Sequence, residues 1–292
     1  MKNDLKTSLT LLKNKLLLLS LMSMLGVNIT GCNKDKETID TSSITITDDE
    51  LKNDYVYANN EEANQEIAEI KKEKLADTKE EVDTLINSKV IQKIYYATSD
   101  TELTIPAFLN ETGIDEIVTL PMLECLEVYD QLDDTCLVKT DEYIGYVNTT
   151  NLEELTGTFV VVDISSQEVK LYKDNQVILS SPVVTGKPGK NESDKGLFEI
   201  YDISGPRYLI DPNGKYKSFV DIMMKYNGGE GLHDAEYHTH EDGFKHGWRS
   251  IEDFGGETYL TNGSHGCINM IRDDVMFVRD HVDIGTKVLV KE

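Results

Sequence analysis

The chain has 292 residues, room for about two domains after an export segment, and its four cysteines are too few for a disulfide-built scaffold. A formal net charge of −24 excludes binding nucleic acid or anionic lipid through a basic surface, since those partners need clustered Lys and Arg. All six histidines fall between His233 and His281, so any imidazole chemistry belongs to the C-terminal part.

Residues 1–32 read as an export segment. Lys2, Lys6, Lys13 and Lys15 precede an apolar run from Leu16 to Ile29 that is too short to span a bilayer comfortably. The run ends Ile29-Thr30-Gly31-Cys32, which resembles a bacterial lipobox and implies diacylation of Cys32 as the mature N-terminus. An uncleaved signal anchor is the alternative; both place the remainder outside the cytoplasm, in contact with the membrane only through this N-terminal anchor. Residues 33–89 are an acidic polar linker that cannot bury enough to form a core, with a solvated helix expected from about Asn60 to Ile86. A coiled-coil partner helix competes with that reading, although the apolar spacing fits no sustained heptad.

From 90 to 154 the pattern changes to short strand-like runs, Ile91 to Ala97, Glu116 to Leu120, Leu123 to Tyr129, Cys136 to Thr140 and Ile144 to Val147. Such runs suggest a small β-barrel, and the ending Tyr143-Ile144-Gly145-Tyr146-Val147 resembles bacterial Src-homology-3-like (SH3-like) domains. With a turn centred near Asp130 and Gln131, Cys125 and Cys136 lie opposite one another, close enough for a cross-strand disulfide. Two buried free thiols are the equal alternative.

The last domain, 156–292, opens as a β-meander: Phe159 to Ile164, Glu168 to Tyr172, a polar turn, and Val177 to Thr185, with a further strand from Leu197 to Ile200. Near its end stands Thr258-Tyr259-Leu260-Thr261-Asn262-Gly263-Ser264-His265-Gly266-Cys267-Ile268-Asn269-Met270. Ile271, Val275, Val278 and Val282 recur at helical spacing, so a helix is expected over Asn269 to Val282, with Asp273 and Asp274 in its first turn. Cys267 would then sit just ahead of a helix start, where N–H groups favour a thiolate.

Ser264-His265-Gly266-Cys267-Ile268-Asn269 resembles the signature of the YkuD-type L,D-transpeptidases, and the likeness extends through Gly231-Leu232-His233-Asp234-Ala235, Trp248-Arg249-Ser250 and Phe254-Gly255-Gly256. The resemblance implies a mainly β protein: a β-sandwich catalytic domain with a short helix after the catalytic Cys267, behind the SH3-like β-barrel. It departs from the family at Ser193-Asp194-Lys195-Gly196, where members usually carry Thr-Pro-x-Gly, which leaves that loop's geometry open. Two histidines compete for the catalytic base. His233 carries the local motif, with Glu236 to Gly247 read as an insertion, whereas His246 satisfies the spacing to Ser264.

The resemblance further implies that Ser264, His265, Gly266 and Asn269 shape the turn and the oxyanion site, N–H groups around Gly266 and Cys267 being the donors, and that Trp248 and Tyr259 line the substrate groove. The implied substrates are peptidoglycan stem peptides, a donor tetrapeptide and an acceptor stem, joined through a Cys267 thioester into cross-links between third residues. Hydrolysis of the thioester would make the enzyme an L,D-carboxypeptidase, and a closed groove would leave a wall-binding module. No cofactor is implied. His238, His240 and His246 with Glu241 and Asp242 have the composition of a metal site, but His-x-His without a matched second pair is a weak signal, and no metal is assigned.

Overall fold

Runs of β-branched and aromatic residues broken by polar turns build a mainly β structure, as their pleated-surface preference dictates. The structure, a computed structural model, describes residues 78–210, 217–239, 243 and 245–292. The export segment with Cys32, and the expected linker helix up to residue 77, lie outside the described residues. The chain divides into two units, residues 1–89 with 107–114, and residues 90–106 with 115–292. In the first unit residues 78–87 are helical (α1), matching the end of the helix expected there. Asn110 Oδ1 in the same unit accepts from the N–H groups of Thr112 and Gly113, both at 3.1 Å, forming a side-chain-held turn.

The second unit opens with seven strands: β1 Lys93–Ala97, β2 Thr101–Ile105, β3 Glu116–Leu120, β4 Cys125–Leu132, β5 Thr135–Lys139, β6 Ile144–Asn148 and β7 Leu152–Leu155. They form one antiparallel sheet in the order β3-β2-β6-β5-β4-β1-β7. Five of the seven coincide with expected runs. β7 escapes a sequence reading because Leu-Glu-Glu-Leu looks polar, yet at the sheet edge its glutamates face solvent while Leu155 is fully buried.

Of the two alternatives for Cys125 and Cys136, the structure has the second: both are free and buried. The β4–β5 turn falls at Asp133 and Asp134, with Asp133 in the left-handed region at φ 50°, rather than at Asp130 and Gln131. That shift sets Cys136 opposite Gln131 and leaves Cys125 paired with Tyr96.

The remaining strands are β8 Thr158–Asp163, β9 Glu168–Lys173, β10 Gln176–Val184, β11 Gly196–Glu199, β12 Asp202–Ser204, β13 Arg207–Ile210, β14 Lys217–Val220, β15 Met223–Asn227, β16 Glu230–Asp234, β17 His238–Thr239, β18 Lys245–His246, β19 Ile268–Met270 and β20 Lys287–Lys291. Nine of them form a sheet in the order β11-β20-β8-β9-β10-β19-β16-β15-β12, while β13-β14 and β17-β18 are separate hairpins. The long sheet folds over itself into a sandwich. One core holds Val160 and Val288 from one end, Met224 and Leu232 from the other, and Val275 and Val278 from helix α3, Arg272–Arg279, which follows the short helix α2, Thr258–Asn262. Phe198 of β11 meets Tyr226 of β15 with ring centroids 5.4 Å apart.

β8 is buried on both faces, which is why it reads as an unbroken Phe-Val-Val-Val run. Val160 and Val162 face the sandwich core, while Phe159 and Val161 join Ile94, Tyr96, Cys125, Leu155, Tyr172 and Leu289 in a second core shared with the seven-stranded sheet. Phe159 stacks on Tyr172 there, centroids 4.9 Å apart. Beside this seam Lys291 pairs with Asp163 at 2.5 Å, Asp141 at 3.2 Å and Glu124 at 3.4 Å.

The helix expected over Asn269 to Val282 is shorter and starts later. Ile268–Met270 is the strand β19, and α3 begins at Arg272. β19 lies between β10 and β16 with all three residues buried, so pairing on both sides claims a segment whose spacing alone looks helical.

Candidate active site

β19 and β16 run parallel, in register Leu232↔Ile268 and His233↔Asn269. This places His233 on the strand beside β19, across from Asn269, which is two residues along from Cys267 in the turn that feeds β19. Ser264 builds that turn: its hydroxyl donates to the Cys267 carbonyl and accepts from the Gly266 N–H at 3.1 Å, while its N–H donates to Thr185 O at 2.9 Å. Ser193 braces the other side, donating to Gly266 O at 2.7 Å and accepting from Gly186 N–H at 2.9 Å. The loop where the sequence departs from the family pattern is thus fastened to the nucleophile turn. Gly266 has φ 111°, a conformation that favours glycine, and a Cβ there would come within 2.5 Å of Glu230 Oε1 and push that side chain aside.

The Gly266 N–H is engaged by Ser264, so it is not a ready oxyanion donor, contrary to the expectation from the motif. The side chain of His265 is exposed. Cys267 is half-buried, and its S–H donates to Gly229 O at 3.7 Å. Burial pushes the thiol up to about 11, Glu230 adds to the rise, and the Gly231 N–H and Lys225 offset part of it. No helix start stands behind the sulfur, so the thiolate stabilisation expected from one is missing.

His233 is buried, and its Nδ1 lies 2.8 Å from Asp234 O. A carbonyl only accepts, so Nδ1 carries the proton and Nε2 presents the lone pair. Burial lowers its pKa to about 4, the Asp234 contact raises it in part, and Arg249 lowers it further. With its amide nitrogen toward the ring, Asn269 donates to Nε2 at 3.2 Å, and its oxygen accepts from Arg249 Nε at 2.8 Å and Nη2 at 3.1 Å. Arg249 is itself buried and donates through Nη2 to Asn262 O at 2.8 Å. Trp248 lies 5.8 Å from the His233 ring and clusters with Val184, Ala235, Phe254, Tyr259 and Ile271, so Trp248 and Tyr259 wall the site as part of a small core. His246 is placed elsewhere, buried on β18 opposite His238 and edge-on to Phe219 at 4.1 Å.

Two functional residues escape a sequence reading. Arg249 was only part of a recurring segment, yet it anchors Asn269. Glu230 lies beside Gly266, accepts weakly from the Asp194 N–H, and is pushed up to about 7 by burial and by the Asp194 carboxylate. The position of Glu230 three residues before His233, at the opening of the same strand, was the available signal.

The fold and the turn define a class, a mainly β sandwich presenting a cysteine at the mouth of a central strand. Residues 157–290 match the family model of YkuD, the L,D-transpeptidase catalytic domain, so this domain is of the YkuD type. Among solved structures, an L,D-transpeptidase from Stackebrandtia nassauensis is 26% identical over 47% of this chain and 56% of its own, with a TM-score of 0.36. The catalytic domain of an E. faecium L,D-transpeptidase, acylated by ertapenem, is 29% identical over 48% of this chain and 100% of its own, at 0.39. An L,D-transpeptidase from Mycobacterium smegmatis is 19% identical over 70% of this chain and 85% of its own, at 0.37. No curated protein matches the sequence.

Proposed function

We propose that this protein is a peptidoglycan L,D-transpeptidase, anchored outside the cytoplasm through its N-terminal segment. Cys267 Sγ attacks the carbonyl that joins the third, L-centred diamino acid of a stem tetrapeptide to its terminal D-Ala. The Asn269 amide gives up His233 Nε2, which takes the thiol proton as the C–S bond forms and returns it to the departing D-Ala amine. The side-chain amine of a second stem then attacks the thioester, forming an amide between two third residues and freeing the thiol. Glu230, half-neutralised near pH 7, sits beside the nucleophile where that incoming ammonium must lose a proton, and its carboxylate takes it.

The observation that carries this reading is the pairing of β16 with β19, which brings a tautomer-fixed neutral imidazole to the strand of the nucleophile. Purified tetrapeptide muropeptides test it. Cross-linked dimers are the expected product; tripeptides alone would mean an L,D-carboxypeptidase, and unchanged substrate would mean a binding module.

A further inference from the structure

We propose that Asp221, His238 and His246 form a site for a transition-metal dication, zinc above all, that clamps the β17–β18 hairpin to the sheet. The three come from separate elements. Asp221 lies between β14 and β15, and the histidines face each other across the hairpin in register, inside the stretch from Glu236 to Gly247 read as an insertion. One ligand atom from each lies within 4.8 Å of the other two. A tetrahedral zinc with bonds of about 2.0–2.2 Å needs ligand atoms roughly 3.4 Å apart, so the widest gap closes by no more than about 1.4 Å when the hairpin settles on the ion.

The hydrogen bonding of His238 supplies the argument for a cation. Its Nδ1 lies 2.9 Å from Glu236 O, which can only accept, so Nδ1 donates and Nε2 is the nitrogen turned toward the cluster. That Nε2 stands 3.0 Å from Asp221 Oδ2, buried and without a well-aligned hydrogen bond among the described residues. A dication seated between the ring nitrogen and the carboxylate oxygen would bond both. The hydrogen bond to Glu236 O and the Arg272 Nε donation to Asp221 Oδ2 at 2.7 Å are the outer contacts that orient metal-binding imidazoles and carboxylates. Phe219 holds the His246 ring edge-on. Two imidazoles and one carboxylate select zinc over calcium or magnesium, and leave a fourth position for water.

The clamp would reach the catalytic strand. The Asp221 N–H donates to Asp234 Oδ1 at 2.8 Å, and Asp234 O holds the His233 ring. The metal proposal itself rests on the cluster alone and stands or falls apart from the assigned reaction.

The test uses untagged full-length chain carrying Cys267→Ala, which removes the one thiol able to compete for zinc at the groove. After dialysis against zinc sulfate, elemental analysis should find one equivalent retained, and cobalt substitution should give the intense visible bands of a tetrahedral site. His238→Ala and His246→Ala should each weaken binding by about tenfold or more. A hundredfold excess of zinc over Kd should raise Tm by about 5 °C in the parent and leave both variants unmoved. The variants' metal-free Tm, together with the conservative His238→Gln, separates lost binding from lost folding. Failure of the parent to retain zinc, or equal retention by the histidine variants, would overturn the site and leave His238 and Asp221 as a hydrogen-bonded pair.

Discussion

A thiol held up to about 11 and an imidazole held down to about 4 leave a thiolate–imidazolium pair unpopulated at rest near neutral pH. Under the proposed mechanism the proton leaves as sulfur bonds to carbon, with His233 acting as a base only in the transition state. Two measurements check this. Alkylation of Cys267 by iodoacetamide should accelerate with each pH unit to beyond pH 10, and a titration midpoint below 7 would refute a protonated resting state. Cys267→Ala should abolish muropeptide turnover and carbapenem acylation, followed by intact-protein mass spectrometry, while Cys125 and Cys136, held up to about 12 and 11 chiefly by burial, should take no adduct. His233→Ala should slow acylation by about 10²- to 10⁴-fold. His246→Ala should change acylation little, because its ring sits on the hairpin with His238 and Phe219. Comparable losses in both variants would return the choice of base to His246.

At the scale of elements, the nucleophile turn and the strand behind it form one device. Gly266→Ala puts a side chain into a left-handed backbone and against Glu230, so the turn must open, and acylation should fall at least tenfold with the fold intact by circular dichroism. Ile268→Ala, a fully buried change in β19, should cost about 2–5 kcal/mol in denaturant unfolding. The meander strands, the His-Asp-Ala segment and the nucleophile motif were readable because alternation and chemistry-bearing residues are local signals. The strand Ile268–Met270 was not: three residues cannot declare a period, and the later Val275 and Val278 lend them a helical one. The Cys125–Cys136 register failed for a related reason. One residue of turn placement decides which side chains face each other, and Asp133 takes the left-handed position without announcing it. Asp221 remained silent because its partners are brought to it by two other elements.

Across the whole second unit, the seam between its sheets combines an apolar core with a buried ion network. Burial pushes the Asp163 carboxyl up, but Lys291, the Ser166 N–H and the Ser165 hydroxyl outweigh it and bring it down to about 2. In the unfolded chain that group titrates near 4, so between roughly pH 4 and 2 the unfolded state holds more protons and stability falls with acid. The stabilisation is complete above pH 4. Lys291→Met leaves Asp163 buried without its cation and should cost about 3–5 kcal/mol at pH 7, a deficit that shrinks on acidification to pH 2. Equal destabilisation at both pH values would show that the lysine contributes packing alone.

The last strand is also an inner one. β20 lies between β11 and β8, pairing parallel with the strand that opens the domain at Thr158 and antiparallel with Gly196–Glu199. Until residues 287–291 arrive, β8 and β11 each present an unpaired edge lined with valine, leucine and phenylalanine. A chain emerging from a ribosome or a secretion channel from its N-terminus therefore cannot close this sandwich early. The domain is held open by its own topology until residues 287–291 have been made or translocated.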